Sequence, residues 1–157
     1  MNRVILPAPI VKRLVVQADV PRAFNAFTAH IGSWWPRSHS VADAPQADVI
    51  IEPRQGGRWY ERATDGSESE WGKVLLWEPP ARVVLAWQLD AQFRYDPTLI
   101  TEVELRFTAL EASQTQVDFE HRYLERLGEG AAALRDRLDG GWLGILEAYR
   151  QEAVREL

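Results

Sequence analysis

The stretch LRDRLDGGWLGILEAYRQEA, residues 134–153, decides the fold. Leu134, Leu138, Trp142, Ile145, Leu146, Tyr149 and Ala153 recur in it at three- and four-residue steps, the signature of one apolar face on a helix. The pattern starts after Leu127-Gly128 and predicts a helix of about 25 residues. Gly140 and Gly141 sit in its middle, each costing a helix roughly 1 kcal/mol against Ala. Glycine is useful there if the helix passes close to a sheet or to a bound molecule; a kink or simple tight packing accounts for it equally well.

Working back from that helix, the period changes from 3.6 to two. Strands are predicted over Asp48–Glu52, Arg58–Ala63, Glu70–Glu78, Arg82–Leu89, Ile100–Leu110 and Thr115–Tyr123. Thr64-Asp65-Gly66-Ser67 reads as a hairpin turn in which Asp-Gly supplies positive φ angles. Pro79-Pro80 ends a strand because neither residue can donate to a ladder. Turn signals at intervals of roughly 8–12 residues, with no helix between them, imply an antiparallel meander. Ahead of it, residues 10–18 read as a further strand. Asp19-Val20-Pro21 starts a short helix, and a second covers Ala29–Trp35 until Pro36 stops it. Residues 1–9 form a loose lead-in and residues 10–157 one domain. The fold class is therefore α+β: a curved antiparallel sheet of about seven strands, with two short helices between strands 1 and 2. An apolar sheet face needs a cover, and only the last helix is long enough to supply it.

Composition narrows the function. The 157 residues are 46% apolar and 26% charged, as in a globular protein. Eighteen Lys and Arg against 23 Asp and Glu give a net charge of −5, so neither nucleic acid nor an anionic membrane is an expected partner. There is no cysteine, which removes thiol catalysis and Cys-ligated zinc. Pro7 and Pro9 interrupt the N-terminal apolar run, so no signal peptide is expected and a cytoplasmic location is the default. Seven Trp, five Phe and four Tyr must fill a core, line a cavity or form an interface.

Alternation assigns faces. Val117, Phe119, His121 and Tyr123 fall together, as do Val103, Leu105 and Phe107, and Val83, Leu85 and Trp87. Trp59 and Glu61 point inward opposite Arg58, Tyr60 and Arg62, and Glu70 is a second candidate for an inward carboxylate. The strand at 70–78 is ambiguous, because Gly72, Val74 and Trp77 cannot all face in without a bulge near Leu75-Leu76.

No catalytic signature stands out. Ser38-His39-Ser40 reads as a loop, and the remaining histidines, His30 and His121, complete no metal motif. Gly128-Glu129-Gly130-Ala131-Ala132-Ala133 imitates a dinucleotide fingerprint, but no parallel strand follows its helix, so it reads as the entry loop of that helix. No metal or cofactor is expected. His121 is either a neutral core histidine or a polar anchor in a cavity. Glu61 needs a partner or water if it faces inward. Trp34-Trp35 serves equally as core filler or as a lid.

These pieces together resemble the START-like, helix-grip superfamily. They are similar in particular to its branch homologous to the C-terminal domain of the activator of the heat-shock chaperone ATPase. The resemblance rests on Asp19-Val20-Pro21, Trp34-Trp35-Pro36, Gly56-Gly57-Arg58-Trp59, Trp71-Gly72-Lys73-Val74, Glu78-Pro79-Pro80-Ala81-Arg82, Trp87, Phe119-Glu120-His121-Arg122 and Gly141-Trp142. It spans roughly residues 10–155. It implies a cavity between sheet and long helix that holds a hydrophobic molecule. The branch's name implies a chaperone partner, although the eukaryotic activators carry a further N-terminal domain for which 157 residues leave no room.

The leading expectation is a small hydrophobic or aromatic ligand. Trp59, Trp87, Phe107, Phe119, Trp142, Ile145 and Tyr149 would wall its cavity, with Trp34 and Trp35 as lid. His121 and Glu61 would orient it. Two readings stand beside this one: a cyclase- or hydrolase-type enzyme using His121 with a carboxylate, and a co-chaperone module. Either a monomer or a homodimer is compatible.

Overall fold

The computed structural model describes residues 7–154. Of the expected lead-in, residues 1–6 therefore lie outside the described residues. Seven strands follow: β1 Ile10–Val16, β2 Gln46–Ile51, β3 Arg58–Ala63, β4 Glu68–Glu78, β5 Arg82–Trp87, β6 Thr101–Glu111 and β7 Gln114–Arg122. Helices α1 (Val20–Phe27) and α2 (Ile31–Trp34) lie between β1 and β2, and α3 spans Ala131–Ala153. All the strand pairs are antiparallel, in the order β1-β7-β6-β5-β4-β3-β2.

Local chemistry explains the joints. The Asp19 carboxylate accepts the Arg22 N–H at 2.9 Å and caps α1, with Pro21 in its first turn. Gly128 and Gly130 take φ of 82° and 81° on the way into α3, so the glycine-rich stretch is the helix entry loop. The turn at 64–67 differs from expectation. Of Asp65 and Gly66, only Gly66 takes a positive φ, and the Asp65 carboxylate accepts the Ser67 N–H and hydroxyl instead.

Alternation decides the layers. Val83, Leu85, Val103, Leu105, Phe107, Val117 and Phe119 are buried, and all seven apolar positions of α3 from Leu134 to Ala153 meet them. The sheet curls around α3, and the core lies between. The outer face is ionic. Glu104 is held there by Arg82, Arg106 and Arg122, and Arg122 also reaches Glu102 and Glu120.

Of the four register shifts in the sheet, two bear on the site. One lies between Val74 and Leu76 in the β4–β5 ladder, as the crowding of Trp77 requires. The other, between β3 and β4, sets both Trp71 and Gly72 against Trp59. It turns Trp71 inward and sends Glu70 outward to Arg58, so Glu70 is not an inward carboxylate. A Cβ on Gly72 would stand 1.7 Å from the Ala86 carbonyl oxygen, so only glycine fits.

Candidate functional site

A cavity of about 260 Å³ opens at the end of the sheet where α3 begins. Its walls are the rings of Trp35, Trp71, Trp87 and Trp142, closed by Leu138 and Ile145 of α3. Leu89 and Phe93 follow β5 along one side; Ser38, His39, Ser40 and Val41 form the opposite rim, and Arg137 stands at the mouth. The indoles brace one another. Trp35 lies 4.9 Å from Trp71 and 5.9 Å from Trp142, and Trp87 lies 5.6 Å from Trp142, in tilted and edge-on contacts.

Of the helix glycines, Gly141 lines the cavity. A Cβ at Gly140, Gly141 or Gly144 would meet nothing within 4 Å, so none is there to let the helix approach the sheet. The space beside Gly141 is the cavity itself.

Of the residues singled out in the sequence, Trp35, Trp87, Trp142 and Ile145 line the hollow. Trp59, Phe119 and His121 form the layer behind it: Trp59 packs on Trp87 at 5.8 Å, Phe119 on Trp142 at 4.6 Å, and His121 on Trp87 at 5.2 Å. Trp34, Phe107 and Tyr149 belong to the other end of the core. Tyr149 stacks against Phe27 and Trp34 and donates its hydroxyl to the Ala23 carbonyl at 2.7 Å, while Phe107 packs on Phe24.

His121 is fully buried and fully used. Thr101 Oγ1 donates to the Trp87 carbonyl at 3.1 Å, so it accepts from His121 Nε2 at 2.8 Å. His121 Nδ1 then keeps a lone pair and accepts from Trp142 Nε1 at 3.2 Å. The ring is the neutral Nε2–H tautomer, and burial pushes its pKa down to about 3. The relay fixes the Trp142 indole and ties it, through His121 and Thr101, to the backbone of Trp87.

Glu61 does the same for the rim. Its buried carboxylate accepts the Ser40 hydroxyl at 2.6 Å, the Val41 N–H at 2.6 Å and Trp71 Nε1 at 3.0 Å. An inward carboxylate is thus paired by protein donors, and the rim loop and Trp71 are tied to β3 through it. Trp35 Nε1 donates to the His39 carbonyl at 2.9 Å, a second tie between wall and rim.

Sequence reasoning left Trp71, Phe93, Arg137 and the Ser38–Val41 rim out of the site. Gly72 was the available signal for Trp71, because a glycine inside a strand marks a bulge that can turn its neighbour inward. Among the described residues no group of His, Asp and Glu could hold a metal ion, and no helix is long and apolar enough to cross a membrane.

A curled antiparallel sheet gripping one long helix, with a hollow beside it, defines a START-like helix-grip protein. The family model described as "Activator of Hsp90 ATPase homolog 1-like protein" matches residues 17–150, and the chain belongs to that family. Among solved structures, the anthrahydroquino-gamma-pyrone synthase Txn09 is 34% identical, covering 94% of this chain and 97% of its own at a TM-score of 0.67. The self-sacrificing resistance protein CalC from Micromonospora echinospora is 30% identical, with 94% of each chain covered and a TM-score of 0.68. The Aha1 dimer from Colwellia psychrerythraea shares the fold at 17% identity, covering 92% of this chain and 94% of its own at a TM-score of 0.65. No curated protein matches the chain.

Proposed function

We propose that the protein binds a compact hydrophobic or aromatic molecule in the cavity between sheet and α3. One observation carries this reading: four indoles, Phe93 and four aliphatic side chains surround a hollow that reaches solvent, beside a helix glycine with open space in front of it. Small-molecule sites are apolar concavities with a few polar groups, commonly about 300–1,000 Å³, so the hollow suits a ligand at the small end of that range. Fused rings fit such walls best, since indole faces and edges stack on them. The synthase relative is named for a fused-ring product, which agrees in chemistry. Binding is favoured over acid–base catalysis at His121, because both nitrogens of that ring already have protein partners and neither is basic near neutral pH.

The test is calorimetric titration with naphthalene-2-methanol, a neutral fused-ring probe. Saturable one-site binding with a negative heat-capacity change is expected. Gly141→Leu, which fills the hollow from the helix side, should abolish it while the protein still melts cooperatively. No saturable heat up to millimolar probe, or unchanged binding in Gly141→Leu, would sink the reading.

A further inference from the structure

We propose that the cavity selects anionic ring compounds, those carrying a carboxylate or an ionised phenol, and that Arg137 sets this preference. The inference rests on the cavity reading above and adds the sign of the ligand's charge. Arg137 precedes Gly141 by one helical turn on the same face of α3, and both line the cavity. It is exposed, and among the described residues it has no hydrogen bond and no ion pair. Its one contact of note is with the Phe93 ring, 5.9 Å from the guanidinium carbon, at the outer limit of a cation–π interaction. Among the described residues, no ion pair therefore neutralises the charge and no hydrogen bond fixes the fork elsewhere.

The rest of the lining agrees in sign. It includes no Asp or Glu, although the chain has 23 acidic residues. His39 also lines the cavity; its Nδ1 meets the Ser38 hydroxyl at 3.2 Å and its Nε2 has no hydrogen-bond partner among the described residues. The carboxylate that approaches the wall from behind is Glu61, and Ser40, Val41 and Trp71 direct three donors at it. A cage of indoles would also attract a cation through its ring faces. A cation would have to approach past Arg137, with no carboxylate in the lining to meet it. A planar fork beside flat rings suits a ring bearing an anionic oxygen: the rings stack in the hollow while the oxygen meets the guanidinium at the mouth.

Three ring-matched probes separate the charges: 2-naphthoate, naphthalene-2-methanol and naphthalene-2-methylammonium. In calorimetric titrations at low salt the order should be carboxylate, then alcohol, then ammonium, with about fivefold between the first two, the scale of a partly exposed ion pair. That ratio should shrink as NaCl is raised. Arg137→Gln should collapse the carboxylate-to-alcohol ratio toward one, Arg137→Lys should keep much of it, and Arg137→Glu should invert it. Equal binding of carboxylate and alcohol by the native protein, tighter binding of the ammonium, or an undiminished ratio in Arg137→Gln would each overturn the role of Arg137 while leaving the cavity reading intact. If none of the three binds, the cavity reading itself falls and takes this inference with it.

Discussion

The two ends of the core use the same materials and reach opposite results. At one end α1 lays Phe24 and Phe27 between sheet and α3, where they meet Phe107, Trp77 and Tyr149 edge-on at 5.2–5.3 Å; the hollow at that end is lined by Asp19, Arg22, Asn25, His30 and their neighbours, and by none of these rings. At the other end no residue of α1 takes part. Two loops and the first half of α3 complete the wall, Gly141 stands where the closed end has Tyr149 two turns on, and a hollow remains. Aromatic content alone therefore does not specify a cavity. What specifies it is which end of a gripped helix receives a plug, and whether the helix offers a ring or a glycine at that level.

The contrast is broken most directly by truncating one residue at each end. Phe24→Ala removes a buried ring from a densely packed site and should cost about 4 kcal/mol. Leu138→Ala at the hollow end should cost about half as much, because its side chain already lacks neighbours on one side. Denaturant midpoints of the two variants measure both. Equal costs would mean that the hollow end is as tightly packed as the other.

The closed end was more legible from sequence than the open one. Period-two alternation placed Val83, Leu85, Val103, Leu105, Phe107, Val117 and Phe119 inward, and period 3.6 found the whole buried face of α3. These readings depend on regular backbone, where the geometry repeats. The cavity rim is built from Ser38–Val41 and Phe93, on irregular segments with no period to read. Trp71 escaped because a bulge breaks the alternation at that residue. The partners of Glu61 escaped for a different reason. Its inward position follows from the strand, but the donors from Ser40 and Val41 arrive from a loop some twenty residues earlier, and only the folded path joins them.

The relay behind the hollow gives a second effect, smaller and dependent on pH. His121 is held neutral with its pKa lowered to about 3, against about 6.5 when unfolded. Folding thus favours the neutral ring. The stabilisation is fully present above pH 6.5 and is lost as pH falls from there toward 3. By pH 4 the loss from this residue is on the order of 3 kcal/mol. His121→Gln keeps a donor and an acceptor without the titration, so the extra acid sensitivity of the native chain over the variant, read from denaturant midpoints at pH 7 and pH 4, isolates it. Identical pH profiles would mean that the ring titrates as it does in the unfolded chain, wetted rather than desolvated.

The smallest effect bears on why the open end stays open. Gly140 is exposed, and a Cβ there meets nothing within 4 Å. Gly140→Ala should therefore stabilise α3 by about 0.5–1 kcal/mol, the ordinary difference in helix propensity, and leave probe binding alone. Gly141→Ala should gain a similar amount, because its Cβ is equally free of contacts, but that methyl enters the hollow and should weaken binding of naphthalene-2-methanol. If both variants are more stable and only the second binds less well, Gly141 holds space for a ligand at the expense of helix stability. If both bind equally, the glycine pair has nothing to do with the cavity. If either one is destabilising, the helix needs glycine there for a backbone reason that open space around the Cβ does not reveal.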